Sequence, residues 1–147
     1  LISITSAGII KQPTSNKQFA LITEALRDEG TSYHYLPKDE SAVLSSKLLE
    51  KLTDTNSLWM EAKSWTTDAP YRETQTAINA MKEDNVTCVE MEAAALYAFA
   101  KAQDRAVICF AHLTNTMAQT EGDFEKGEDF GSLEMLELIE EVLRKLE

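Results

Sequence analysis

The chain has 147 residues, of which 25 are acidic and 14 are basic, so its formal net charge is −11. This length suits one domain with a substantial core, and a hydrophobic content of 44% excludes a disordered tail. The acidic excess argues against nucleic acid and against an anionic membrane surface as partners, since both require clustered lysine and arginine. The acidic residues are concentrated from Glu121 to the end of the sequence, where ten of them accompany three basic residues.

The two cysteines and the start of the chain indicate its cellular setting. Cys88 and Cys109 lie in apolar runs and are predicted to be buried thiols in a reducing compartment, the cytoplasm. No apolar run approaches the roughly 18 residues of a membrane span, and no charged-then-apolar leader opens the chain. The chain begins at Leu1 directly in a strand-like run, from which we expect residues to be missing upstream.

Strands and helices are predicted to alternate along most of the chain. Residues 19–27 combine helical spacing with strand-like composition, and the acidic, glycine-punctuated stretch 114–131 is predicted to be a solvated loop because it fails the EF-hand spacing. Continuously apolar strands indicate one α/β domain with a largely buried sheet. The predicted strands are 1–5 (ended by Ser6, Ala7 and Gly8), 57–65, 86–89 and 106–113, and the predicted helices run from Asp39 or Ser41 to Leu52, from Asp68 to about Lys82, from Glu90 to Ala100 and from Ser132 to Leu146.

Ligands of open α/β sheets bind beyond the carboxyl ends of strands, which draws attention to residues 5–8, 89–92 and 112–115 and to the turn at 68–73. The positions of Glu90 and Glu92 can be interpreted in two ways. They can stabilise the start of a helix, or one of them can accept hydrogen bonds from a ribose diol. Met91 between them is either a core residue or an apolar surface for a sugar or base.

Other polar residues have plainer interpretations. Asp68 is predicted to cap the helix that follows it, and Tyr71 and Arg72 fit the surface of its first turn. His34 and His112 have no serine or cysteine partner at a suggestive spacing and are predicted to be structural. The chain contains no GxxxxGK[ST], GxGxxG, CxxC or HExxH pattern, so no metal and no nucleotide cofactor is predicted.

Three motifs carry a resemblance to a known family. The segment VEMEAAALY at 89–97 resembles the VEMEAAAL segment of the nucleoside phosphorylase family, which includes purine nucleoside phosphorylase, uridine phosphorylase and methylthioadenosine nucleosidase. The segment WTTDAPYRE at 65–73 is similar to that family's TTDAPYRE stretch, and TSAG at 5–8 is similar to its G-[ST]-x-G turn. The resemblance implies a mixed β-sheet flanked by helices, and it favours a strand at residues 19–27.

The resemblance also implies roles for individual residues. Glu92 would bind the ribose hydroxyls as a catalytic residue, Met91 would pack against the sugar, and Ser6 would contact phosphate or the attacking nucleophile. The other substrate-binding residues that it implies are Gly8 of the same turn, Glu90, and Pro70 and Tyr71 near the base.

The chain departs from the family pattern in two places. Asn115 stands where many bacterial members have a catalytic aspartate that protonates the purine. An amide cannot be a general acid, but it can hydrogen-bond a ring nitrogen and an exocyclic oxygen, as in the trimeric phosphorylases specific for 6-oxopurines. The chain is also shorter than the family. We expect the amino-terminal part with its phosphate loop to be missing from it. No basic residue stands near Ser3, so the chain is predicted to carry little of the phosphate half of the site.

The function that the resemblance implies is a nucleoside phosphorylase of purine or pyrimidine salvage. It would cleave the N-glycosidic bond of a 6-oxopurine or pyrimidine nucleoside, using inorganic phosphate as co-substrate and no other cofactor, to give the free base and ribose 1-phosphate. Family members are homo-oligomers, which the resemblance extends to this chain. Two alternatives remain: a nucleosidase that uses water, and a nucleoside-binding paralogue or fragment without turnover.

Overall fold

The computed structural model describes residues 1–13, 15–54, 56–116 and 131–147, with the backbone alone at residues 115 and 116. Three strands come first with no α-helix between them, and from the first helix onward the described helices and strands alternate. The strands are β1 (Ile2–Ile9), β2 (Phe19–Asp28), β3 (Ala42–Val43), β4 (Trp59–Thr67), β5 (Cys88–Glu90) and β6 (Ile108–Thr116), the helices are α1 (Ser46–Leu52), α2 (Gln75–Glu83), α3 (Ala93–Ala102) and α4 (Ser132–Leu146), and single 3-10 turns lie at Ser32–His34 and Pro70–Arg72.

Five of these strands form a closed ring. Their order is β2, β4, β5, β1 and β6, and antiparallel pairing between β2 and β6 completes the circle, while β3 pairs with β2. The pairs β1–β6, β2–β4 and β4–β5 are parallel, and β1–β5 is antiparallel. The predicted α/β architecture with a mixed sheet flanked by helices is therefore confirmed.

The core lies between this ring and the helices that cover it. The rings of Trp59 in β4 and Phe110 in β6 meet edge to face at 5.3 Å between centroids, and both side chains are almost fully buried. Helix α4 adds Leu138 and Val142 to the same cluster, and both are completely buried. The last helix therefore packs on the chain's own sheet, with the bounds that the sequence predicted.

The structure of β2 explains why the apolar residues of this strand are spaced as in a helix. The register of its pairing with β4 shifts between Ile22 and Glu24, so that Thr23 is an extra residue. Residues 19–22 are buried without interruption, since β2 has the core on more than one side. A bulge and two-sided burial both remove the simple alternation of a half-buried strand. The strand that the resemblance favoured is confirmed.

The first strand does not end where the sequence predicted. β1 continues through Ser6 and Gly8 to Ile9, because it hydrogen-bonds to β5 on one side and to β6 on the other. The irregularity at this point is a register shift between Ala7 and Gly8 in the pairing with β6. Because Ala7 pairs with Leu113 and Gly8 pairs with Asn115, the extra residue is Thr114 of β6. Gly8 therefore lies inside β1 opposite this bulge, and not at a turn that ends the strand.

Three helices begin later than predicted. α1 begins at Ser46 and not at residues 39–41, because residues 42 and 43 pair with β2. α2 begins at Gln75, where the hydroxyl of Thr74 accepts the hydrogen bond that caps it, so Asp68 is not its cap. α3 begins at Ala93 and not at residue 90, which is the last residue of β5. Tertiary pairing and a better cap override local helix propensity in each case.

Most of the predicted acidic loop, residues 117–130, lies outside the described residues. Among the helices that the structure describes, none is long and apolar enough to cross a membrane.

The hydroxyl of Tyr97 bridges the two strands that close the ring. The pairing of β2 with β6 ends at Leu21 and Phe110, and the next residues would be Ile22 and Cys109. There the buried Tyr97 hydroxyl donates a hydrogen bond to the carbonyl oxygen of Ile22 and accepts one from the N–H of Cys109 at 3.1 Å. One side chain of α3 thus supplies the hydrogen bonds that the separating strands no longer give each other.

We predict that Tyr97→Phe lowers the free energy of unfolding by about 2–3 kcal/mol, because it leaves a buried donor and a buried acceptor without partners. Tyr71→Phe is the matched control, since the Tyr71 side chain is fully exposed and the same atom is removed. Urea unfolding of both variants measures the difference. Equal midpoints for the two variants would contradict the bridging role.

Candidate functional site

The candidate site lies where β4 and β5 end beside the middle of β1. In the parallel pair, Thr66 of β4 is level with Glu90 of β5. β1 runs in the opposite direction and pairs Gly8 with Val89, so the residues before Gly8 lie beside those that follow β5. Strand pairing therefore brings together two of the segments that the sequence singled out, 5–8 and 89–92.

Glu90 is the buried centre of this arrangement, with 3% of its surface exposed. One carboxylate oxygen accepts hydrogen bonds from the hydroxyls of Ser64 at 2.9 Å and Thr66 at 2.5 Å. The other accepts from the backbone N–H groups of Glu92 at 2.8 Å and Ala93 at 2.7 Å. All four partners are donors to the carboxylate, so both oxygens of Glu90 are engaged inside the protein, and its predicted contact with a ligand stays a prediction.

Thr66 extends this network into helix α3. Its hydroxyl donates to Glu90 and accepts a hydrogen bond from the N–H of Ala94 at 3.0 Å. Together with Glu90 it satisfies three N–H groups at residues 92–94, around the start of α3, which need partners from outside the helix. Ser64 and Thr66 were missed as site residues by the sequence analysis. Their signal was two hydroxyl residues at i and i+2 of a strand, which place both side chains on one face.

Burial raises the pKa of the Glu90 carboxyl above its usual range. The hydrogen bonds from Thr66, from the N–H groups of Ala93 and Glu92, and from Ser64 act in the opposite direction without cancelling this effect. The four hydrogen bonds therefore offset part of the free-energy cost of burying this carboxyl.

Glu92 is oriented differently, because the chain turns after β5 and brings this side chain to the surface. Its Oε2 atom accepts a hydrogen bond from the Thr5 hydroxyl at 3.0 Å and one from the N–H of Met91 at 3.3 Å. No described residue donates a hydrogen bond to its Oε1 atom. The Met91 side chain beside it is 49% exposed and offers an apolar surface. The protein therefore holds this carboxylate through Oε2, and Oε1 receives no hydrogen bond from the described residues.

Ser6 and Gly8 differ in accessibility. Ser6 is exposed and lies next to Thr5, in register with His112 of β6. Gly8 is buried between β5 and β6, where its backbone faces the two neighbouring strands. Of these two predicted site residues, the serine alone presents a polar side chain at the surface.

The segment after β4 leaves the sheet at the same end as the segment after β5, because the two strands are parallel neighbours. Pro70 and Tyr71 lie in a 3-10 turn, and both side chains are exposed. The turn is held in place by Asp68, whose carboxylate accepts a hydrogen bond from the N–H of Gly30 at 3.0 Å, and by the Thr67 hydroxyl, which accepts from Ala69 at 3.2 Å. Asp68 thus anchors this turn to the loop after β2.

Asn115 is placed by its backbone. It pairs with Gly8 of β1, which pairs on its other side with Val89 of β5. Two strand spacings put its backbone about 10 Å from Val89. Its side chain lies outside the described part of the chain, so its predicted role stays a prediction.

The two histidines have different surroundings. His112 is buried, and its ring packs against Phe19 at 4.9 Å between centroids, which agrees with a structural role. His34 is exposed in the first 3-10 turn. No group of three or more histidine, cysteine, aspartate or glutamate side chains within the described ranges could hold a metal ion.

Comparison with known proteins agrees with this architecture. Residues 1–144 match the model of the family described as the phosphorylase superfamily. Among solved structures, the AMP nucleosidase from Bacteroides thetaiotaomicron VPI-5482 matches with a TM-score of 0.74 and 20% identity over 99% of this chain and 62% of that one. The P. knowlesi homologue of P. falciparum PNP matches with a TM-score of 0.73 and 19% identity over 99% of this chain and 61% of that one.

At these identities the structural likeness shows the fold alone, and the chain spans less than two thirds of the length of either structure. The comparison with curated proteins found no match.

We predict that Glu90→Gln lowers the free energy of unfolding by about 3 kcal/mol, because the amide NH₂ group would face hydrogen-bond donors in a buried place. Glu92→Gln makes the same chemical change two residues away at an exposed position and is expected to cost less than about 1 kcal/mol. Urea unfolding distinguishes the two variants. A Glu90→Gln variant as stable as Glu92→Gln would show that the buried network contributes little.

The stability difference between the wild-type chain and Glu90→Gln is also expected to depend on pH. Because the folded state raises the pKa of Glu90, its contribution to the free energy of unfolding is fully present below the ordinary pKa of 4.5 and is lost as the pH rises through the raised value. Glutamine does not titrate, so the difference should be larger at about pH 5 than at about pH 8. A difference that stays constant, or grows with pH, contradicts this expectation.

Proposed function

Because the chain belongs to the phosphorylase superfamily, we propose that it forms the sugar- and base-binding part of a nucleoside site in a protein that cleaves the N-glycosidic bond with phosphate. The products would be a free base and ribose 1-phosphate. The observation that carries the proposal is the Glu92 carboxylate, which is exposed, fixed by Thr5 and Met91, and open at Oε1 among the described residues.

The chemistry of Glu92 suits a sugar hydroxyl. An ionised carboxylate accepts hydrogen bonds and donates none, so it selects ligand groups that are donors. Hydrogen bonds to a charged acceptor are shorter and stronger than those between neutral groups. Because Thr5 and Met91 already fix the side chain, a ligand does not have to order it, which lowers the entropic cost of binding. The exposed Met91 side chain provides the apolar contact for the sugar ring.

The base is proposed to lie toward the turn at Pro70 and Tyr71. The Tyr71 ring is fully exposed, which leaves its face available for stacking on a base. Asn115 is proposed to hydrogen-bond the departing base, and its amide suits a 6-oxopurine or a pyrimidine better than an adenine that must be protonated. Stabilising negative charge on the base as the glycosidic bond breaks lowers the barrier, because that charge is greater in the transition state than in the bound nucleoside.

Phosphate is proposed to approach from the side of the exposed Ser6 hydroxyl. Among the described residues, no ion pair or hydrogen bond joins a lysine or arginine to Thr5, Ser6 or Glu92. A phosphate dianion needs cationic partners, so in this proposal they come from outside this edge of the sheet. Gly8 and Glu90 support the site from within the sheet and make no contact with the ligand.

A second candidate function is hydrolysis, with water in place of phosphate. The lack of a described cation beside Ser6 favours it, and one similar structure is described as an AMP nucleosidase. Release of free base that depends on phosphate supports phosphorolysis. Equal release in phosphate-free buffer supports the nucleosidase, and binding without release supports a nucleoside-binding protein.

We predict that Glu92→Gln weakens binding of inosine or uridine by about 10- to 100-fold, the loss expected when the charged acceptor of a hydrogen bond is neutralised. Isothermal titration calorimetry of the 147-residue chain with each nucleoside measures this change. Glu50→Gln, an exposed residue of α1, is the matched control and should leave affinity unchanged. Absence of binding to the wild-type chain, or equal binding by both variants, would contradict the proposal.

A further inference from the structure

The turn proposed to carry the base is joined to another part of the chain by the side chain of Asp68. β2 and β4 are parallel neighbours whose last residues pair with each other, so the segments after them leave the sheet side by side. There the Asp68 carboxylate accepts a hydrogen bond from the N–H of Gly30 at 3.0 Å. Among the described residues, the hydrogen bonds of residues 69–72 reach no farther than Thr67 and Thr74. The turn therefore depends on Asp68 for its position.

The loop that carries Gly30, residues 29–41, is held by Arg27 near the end of β2. The Tyr33 ring centre lies 4.3 Å from the guanidinium carbon, and the Tyr33 hydroxyl donates to the carbonyl oxygen of Arg27 at 2.9 Å. A planar guanidinium can hold several acceptors in one fixed arrangement. The guanidinium donates at 2.5–2.9 Å to the Ser32 hydroxyl and to the carbonyl oxygens of Leu36, Pro37 and Glu40.

The same loop is also joined to helix α3. The rings of Tyr35 and Phe99 meet edge to face at 5.7 Å between centroids. Glu40 forms an ion pair with Lys101 at 2.6 Å. α3 begins directly after the glutamate that is proposed to bind the sugar. The loop therefore connects the base turn, through Asp68, with the helix next to the proposed sugar site.

We propose that Asp68 is a positioning residue for the base. Its hydrogen bond to Gly30 holds the turn so that the Tyr71 ring stands where the base stacks, and its carboxylate does not touch the nucleoside. When that hydrogen bond is absent, binding has to order the turn, and this ordering lowers the affinity. The inference rests on the proposed function, because it assumes that the base lies at this turn.

The first test compares two substitutions of Asp68 by calorimetry with inosine and uridine. Asp68→Ala removes the acceptor and should weaken binding about five- to tenfold. Asp68→Asn keeps an oxygen that can accept the Gly30 N–H and should bind within about twofold of the wild-type chain. Asp39→Ala, a change at an exposed aspartate of the same loop, is the control and should leave affinity unchanged. Equal losses for Asp68→Asn and Asp68→Ala would overturn the proposal, since the charge would then act on the ligand directly.

A double-mutant cycle with Tyr71→Ala separates positioning from a general effect on the fold. Tyr71→Ala should weaken binding about tenfold by removing the stacked ring. In that background Asp68→Ala should cost less than about twofold, because the ring that it positions is gone. The same five- to tenfold loss in both backgrounds would contradict the positioning role, and so would unchanged affinity of Tyr71→Ala. Circular dichroism spectra and urea unfolding verify that each variant folds.

The failures of the two proposals are distinguishable. If no nucleoside binds to the wild-type chain, the proposed function is wrong and the role of Asp68 is wrong with it. If nucleosides bind and Glu92→Gln weakens them, while Asp68→Ala binds as tightly as the wild-type chain, the proposed function stands and the role of Asp68 alone is wrong.

Discussion

The buried carboxylate of Glu90 joins three elements of the fold, and the candidate site depends on it. Two hydroxyls of β4 and two backbone N–H groups at the start of α3 all donate to this one side chain, which ends β5. A buried carboxylate without partners would be very costly, and four donors together with the favourable end of a helix dipole offset that cost. The turn that follows β5 is therefore fixed by an interaction made entirely inside the protein.

The change of chain direction after β5 explains why two glutamates that are two residues apart have different surroundings. Glu90 is the last residue of β5 and points into the protein, whereas the chain changes direction at Met91 and brings Glu92 to the surface. The N–H of Glu92 donates to Glu90, so the buried carboxylate directly fixes the backbone that carries the exposed one. Thr5 then fixes the exposed side chain from β1. Rigid support of this kind is what a binding residue needs to hold its geometry before a ligand arrives.

The closed ring of strands shows where sequence reasoning succeeded and where it failed. The alternation of apolar strands with helices was enough to predict an α/β fold, because buried strands and amphipathic helices differ in length and composition. The bulges in β6 and β2 were not predictable, because each arises from pairing with strands distant in the chain. The start of α1 was predicted too early for the same reason, since residues 42–43 pair with β2 and do not join the helix that follows them.

The sequence by itself determined the fold class. Its motif segments, through the family resemblance, predicted Glu92, Met91, Pro70 and Tyr71 as site residues, and the structure leaves these four side chains exposed. Only the tertiary structure decided that Glu90 faces inward and that Thr5, Ser64 and Thr66 belong to the same network. The physical reason is that a carboxylate has the same local sequence signature whether its partners are buried donors or a ligand. The hydroxyl partners of Glu90 lie 24 and 26 residues away in the chain, and the hydroxyl partner of Glu92 lies 87 residues away, so only folding brings them together.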